Sequence, residues 1–114
     1  MALQVEQKKE GNVSVIKAAG TIDSTNMAQV KSLLIEIRED KKKPYVVMDL
    51  SRLDLISSMG WAMFINFAMD FKKAGGALKF SGMNDRVERL FWLMGVNTQV
   101  ENFKELKEAM KSFF

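Results

Sequence analysis

Two hydroxyls stand side by side at Ser57 and Ser58, where an apolar strand pattern gives way to an apolar helical one. The stretch reads Asp49-Leu50-Ser51-Arg52-Leu53-Asp54-Leu55-Ile56-Ser57-Ser58-Met59-Gly60. Tyr45 to Leu50 has the continuous apolar character of a buried strand. A short loop follows, and the small-residue turn then opens a helix. Hydroxyls at a helix entrance can cap its free backbone N–H groups, and an anion placed there is favoured by the helix dipole. The position can therefore hold structure, accept a phosphate, or present a surface to a partner. The residues alone leave all three open.

Composition removes several other chemistries. The 114-residue chain has no histidine and no cysteine, so the commonest general base, the commonest metal ligand and all thiolate chemistry are missing. No metal site or cofactor is expected, and Gly75-Gly76 reads as a helix end, not a phosphate loop. Net charge is a modest +3. The densest basic run, Lys41-Lys42-Lys43, follows Glu36, Glu39 and Asp40 and reads as a solvated helix end. Aromatic residues do not interleave with basic ones, so no nucleic-acid platform is indicated.

Met1-Ala2-Leu3-Gln4-Val5-Glu6-Gln7 lacks the basic-then-apolar order of a signal peptide. Met59 to Ala68 is strongly apolar, but Asn66, Asp70 and Lys72 interrupt it far short of the ~20 residues a membrane span needs. A cytoplasmic protein with no membrane contact is expected.

The elements that position these residues follow from periodicity and punctuation. Leu3 to Glu10 and Val13 to Ala19 read as a hairpin turning at Glu10-Gly11-Asn12. Gly20-Thr21-Ile22-Asp23-Ser24-Thr25 leads into a helix capped by Ser24 or Thr25, with Met27, Val30, Leu33, Leu34 and Ile37 on its apolar face. After the strand at Tyr45 to Leu50 comes a helix from Ser58 to Ala74, then a strand from Ala77 to Ser81. Asn84 caps a third helix with Val87, Leu90, Phe91 and Met94 as its core stripe. A short strand at Thr98 to Val100 and a helix from Asn102 to Ser112 end the chain. The class is α/β: one domain over residues 1–114, a mixed open sheet of about five strands covered by about four helices.

The second helix is more apolar than one core face requires. Between Met59 and Phe71 only Asn66 and Asp70 are polar, so the apolar arc spans roughly 240° where little more than 100° suffices. Trp61, Phe64, Ile65, Ala68 and Phe71 can pack on the sheet, leaving Met59, Met63 and Phe67 as a second stripe. That stripe is either core, wrapped by another element, or a contact surface for a partner or a second copy.

Element order and local motifs together resemble the STAS domain, the fold of bacterial anti-sigma factor antagonists, over nearly the whole chain. Gly20-Thr21-Ile22-Asp23 is similar to the family's Gly-x-hydrophobic-Asp turn, and Asp49-Leu50-Ser51 to its Asp-Leu-Ser at the end of the central strand. Gly75-Gly76, Asn84-x-x-Val87-x-x-Leu90-Phe91 and Gly95 keep the family spacing. The switch motif departs from it. Where the family has Asp-Ser-Ser/Thr-Gly-Leu-Gly, this chain has Ser57-Ser58-Met59-Gly60-Trp61-Ala62. Met59 falls on the hydroxyl residue that the anti-sigma kinase phosphorylates.

The resemblance implies a non-enzymatic module that binds an anti-sigma factor or related kinase and so relieves inhibition of a sigma factor. Asp23, Ser24, Ser57, Ser58, Met59, Trp61, Met63 and Phe67 are the expected partner-binding residues. A thioether takes no phosphoryl group, so the usual switch is expected to be lost, with Ser58 as a displaced acceptor or a cap. A homodimeric scaffold, self-covered through Met63 and Phe67, and a small-ligand or nucleotide-binding module are the alternatives.

Overall fold

Strand β3 (Tyr45–Ile56) runs through the middle of a five-stranded sheet whose order is that of the chain. In the computed structural model, which describes residues 2–40 and 43–113, β1 (Gln4–Glu10) and β2 (Val13–Ile22) form the expected antiparallel hairpin. β2, β3, β4 (Ala77–Ser81) and β5 (Glu101–Phe103) are all parallel. The parallel steps are bridged by helices α1 (Met27–Asp40), α2 (Ser58–Lys73) and α3 (Asp85–Leu93), as such crossovers require. A last short helix, α4 (Leu106–Lys111), follows β5. Lys41 and Lys42 of the basic run lie outside the described residues.

Side chains alternate across each strand, so the sheet feeds two cores. Ile16, Ala18, Val46, Met48, Leu50, Leu78 and Phe80 pack with α1, α2 and α3 in the main core. Val13 and Val47 point the other way and pack with Ala109 of α4 in a smaller one. The central strand is thus buried on both faces at Val46, Val47 and Met48, as its apolar run there required. Lys79 of β4 holds α4 against this second face. Its ammonium donates to the Ser112 hydroxyl at 2.7 Å and the Ser112 carbonyl at 3.2 Å, pairs with Glu101 at 3.4 Å, and lies 4.4 Å from the centre of the Phe113 ring.

Four boundaries differ from the sequence reading, each for a local reason. Ser51 to Leu55 is strand, not loop, because β2 stays alongside through two register shifts that let Leu53 and Ile56 reach the core. Of the residues expected in the last strand, Thr98 ends a 3-10 turn, Val96–Thr98, after Gly95, Gln99 and Val100 continue as turn and bend, and the strand begins only at Glu101. α4 is shorter than expected and starts where Glu108 accepts from the Glu105 N–H. Met94 is not core: it is the C-cap of α3 and is exposed.

Candidate functional site

The site is assembled where the ends of β2 and β3 meet the start of α2. The Ser57 N–H donates to the Ile22 carbonyl at 2.8 Å, which sets the turn after β2 beside the turn before α2. Ser57 has extended backbone angles, and its hydroxyl accepts from the Gly60 N–H at 3.2 Å, an N-cap for α2. Gly60 presses against both strand ends: a Cβ there would stand 2.8 Å from Ile56 Cγ2 and 3.2 Å from Ile22 Cγ2. Any other residue would push the helix off the sheet. With Gly60 seated, Ser58 and Met59 are left facing outward in the first turn. Met59 is 59% exposed.

The adjoining turn is held by its own side chains. The Asp23 carboxylate accepts from the Thr25 hydroxyl and from the Thr25 N–H, while the Asp23 carbonyl accepts from Asn26 and Met27. Asn26 returns the bond: its side chain accepts from the Asp23 N–H and donates to the Thr21 carbonyl. The Thr25 hydroxyl, with help from the Thr25 amide, holds the Asp23 carboxyl below its ordinary value. The tip therefore combines an ionised carboxylate, an exposed hydroxyl at Ser58 and an exposed thioether.

Two capping expectations are corrected by this geometry. Ser24 and Thr25 do not cap α1: the Asp23 carboxylate accepts from Thr25, two residues before the helix, and the Asp23 carbonyl accepts from the N–H of Met27, its first residue; Ser24 is exposed beside it. Ser57 caps α2, which frees Ser58 at the first helical position. Thr25 and Asn26 are the site residues that sequence reasoning missed. Their signal was the three-residue spacing of Asp23 and Asn26, which lets each cap the other's backbone.

Three expected contact residues are not on the surface. Trp61 is fully buried, edge-on to Phe80 and tilted against Phe91. Met63 and Phe67 are core because α1 lies along α2: the Arg38 guanidinium sits 5.4 Å over the Phe67 ring and bonds Asp70 at 2.8 Å. What little of them stays accessible lines a groove of about 330 Å³ between the two helices, which Met59 also lines. The second apolar stripe of α2 is thus split. Met59 projects, whereas Met63 and Phe67 are wrapped by the same chain, and the dimer surface expected at those two residues is absent.

A larger concavity of about 530 Å³ lies elsewhere, between β1, β2 and β3, and is lined by polar residues including Glu6, Lys17, Asp49 and Arg52. Among the described residues no cluster of three or more Asp or Glu side chains is placed to hold a metal ion. No helix among them is long and apolar enough to cross a membrane.

Comparison with known proteins places this geometry in context. The family model of the STAS domain matches residues 4–109. The anti-sigma-B factor antagonist of Bacillus subtilis (strain 168) is 26% identical over 102 residues, covering 89% of this chain and 91% of that protein. The crystal structure of an anti-sigma factor antagonist from Mycobacterium paratuberculosis superimposes with a TM-score of 0.87 at 18% identity, over 98% of this chain and 94% of that one. The anti-sigma factor antagonist SpoIIAA in its unphosphorylated form gives a TM-score of 0.72 at 14% identity, over 97% and 96% of the two chains. At these identities the two structural matches speak to the fold.

Proposed function

The chain belongs to the STAS domain family, and on that premise we propose that it is a cytoplasmic protein-interaction module of the anti-sigma factor antagonist type, with docking built on the tip of α2. It binds an anti-sigma factor or related kinase through Asp23, Ser24, Ser57, Ser58 and Met59. Sequestering that inhibitor releases the sigma factor, so the protein acts by competition and needs no catalytic residue of its own.

One observation carries this reading. Met59 stands exposed in the first turn of a helix capped by Ser57, where a partner would meet it. A thioether accepts no phosphoryl group. In a phosphorylatable relative, a phosphate adds up to two negative charges and blocks docking by repulsion and desolvation. Met59 offers apolar, easily repacked surface instead, so binding is constitutive. Protein abundance, not modification at this residue, then sets how much inhibitor is held.

A pull-down from native cytosol with the wild-type protein and with Met59→Asp, read by mass spectrometry, tests the surface. A single anti-sigma-type partner is expected to be retained by the wild type and reduced at least tenfold by Met59→Asp. Equal recovery on both baits would place docking elsewhere.

A further inference from the structure

β1 stands at the edge of the sheet, and among the described residues only β2 pairs with its backbone. Its outer N–H and C=O groups form a row 7 residues long, about 24 Å at the usual strand rise, which can take another strand. The opposite edge, β5, is only 3 residues long. β1 contains no proline and no bulge, its register with β2 running unbroken from Gln4 to Glu10. Lys8 and Lys9 are its guards, since such charges repel most incoming strands. Which strand they admit depends on the charges around them.

The register with β2 divides β1 into two faces. Val5, Gln7 and Lys9 lie on the α1 side of the sheet, opposite Ala18, Ile16 and Ser14; Glu6 and Lys8 lie on the other, opposite Lys17 and Val15. On that other face the charges alternate from strand to strand, because Asp49, Lys17 and Glu6 are successive partners across β3, β2 and β1. A further strand that continues the pattern sets a cation opposite Glu6 and an anion opposite Lys8. The β1 of a second copy, run antiparallel, does both. A two-fold axis perpendicular to the sheet at Gln7 pairs every residue of the strand. It sets Glu6 of each copy opposite Lys8 of the other and opposes no like charges. Moving the axis to Glu6 or Lys8 shortens the ladder and sets that residue against itself; at Lys8 it also sets Glu6 against Glu10. The axis at Gln7 further places Val5 of one copy opposite Lys9 of the other. There a groove of about 450 Å³, lined by Gln7, Lys9, Glu36 and Ile37 among others, runs between β1 and α1.

We propose that two copies of this chain associate through β1, their sheets joining edge to edge with an antiparallel seam centred on Gln7. Strand addition takes its affinity from main-chain hydrogen bonds, roughly six to eight over this length. The charges fix the register. Little apolar area is covered, so the dimer is reversible and concentration-dependent, far from an obligate interface. β1 begins at the end of the molecule where β2 finishes, because Gln4 pairs with Ala19 and Glu10 with Val13. The two-fold axis therefore sends the two α2 tips to opposite ends of the joined sheet, and neither is covered by the seam.

Sedimentation velocity from about 10 µM to about 500 µM, with amide hydrogen exchange on the same samples, tests this. The wild type is expected to climb in mass toward a dimer, with exchange slowing at alternate residues of β1 as concentration rises. Glu6→Lys and Lys8→Glu change exposed side chains, and each sets like charges opposite one another across the seam. Each should weaken association at least tenfold, with near-UV circular dichroism unchanged. An equimolar mixture of the two variants should associate again, because the mixed pair opposes unlike charges at both positions. The exchange measurement on the wild type decides the matter even where a variant fails to fold. A monomer at every concentration overturns the proposal, as does a dimer indifferent to both reversals or a mixture that stays apart. A chain that remains monomeric, its β1 amides protected only when a captured partner is added, gives the edge to that partner's strand and overturns it too.

Discussion

Ser57 caps the start of α2, and Asp23 closes the turn that leads into α1. Ser57 uses a neutral hydroxyl, so its cap is indifferent to pH across the physiological range. Asp23 uses a carboxylate held below its ordinary value by the Thr25 hydroxyl and amide. The folded state therefore binds this proton less readily than the unfolded chain does. Its contribution to stability is complete above the ordinary carboxylate value and is lost as pH falls through the lowered folded value. Urea titrations at a series of acidic pH values should show the wild type losing midpoint steadily through this window. Asp23→Ala should start lower at neutral pH and converge on the wild type in acid. The need for caps at both turns could be read from the residue types; the capping residue of each could not. Neighbouring hydroxyls and carboxylates have equal propensity for the role, and only the path of the chain after Ile22 and Ile56 selects between them.

The helices were legible from their periodicity, and α2 shows where that signal stops. An apolar arc wider than one face says that the helix is covered on more than one side, not by what. Arg38 supplied the cover: its guanidinium sits over Phe67 while pairing with Asp70, so an outwardly polar residue of α1 buries an apolar one of α2. A similar dual contact holds α4. Lys79 is an apparent surface residue in sequence, yet it is 7% exposed and joins Ser112, Glu101 and the Phe113 ring. Lys79→Ala should destabilise the protein by about 2 kcal/mol and selectively raise amide hydrogen exchange in α4. Lys79→Met, which keeps the apolar stem over the rings, should recover part of that loss. Uniform exchange changes across all helices would contradict a local latch. The α4 boundaries were hard to read because six residues hold too little periodicity to register against their neighbours.

At the scale of the molecule, the order of strands and helices was readable because each parallel step needs a helix and the three crossover helices are punctuated by Gly, Asn or Pro. What the fold leaves outside was not readable in the same way. Met59 shares an apolar stripe with Met63 and Phe67, yet it is solvent-facing, as Trp92 of α3 is, while Met63 and Phe67 are buried. The two outward surfaces stand on different helices, one capped at its start and one overhanging at its end. The proposed docking tip is the first of these. The central claim concerns the first face: with Met59 in place, docking is not released by phosphorylation. Its most direct measurement is the intact mass of the wild type and of Met59→Ser after incubation with the captured kinase-type partner and ATP. The account predicts an unmodified wild type that stays bound, and a Met59→Ser protein that gains one phosphate and dissociates. Stoichiometric phosphate on Ser58 of the wild type, with release of the partner, would contradict it.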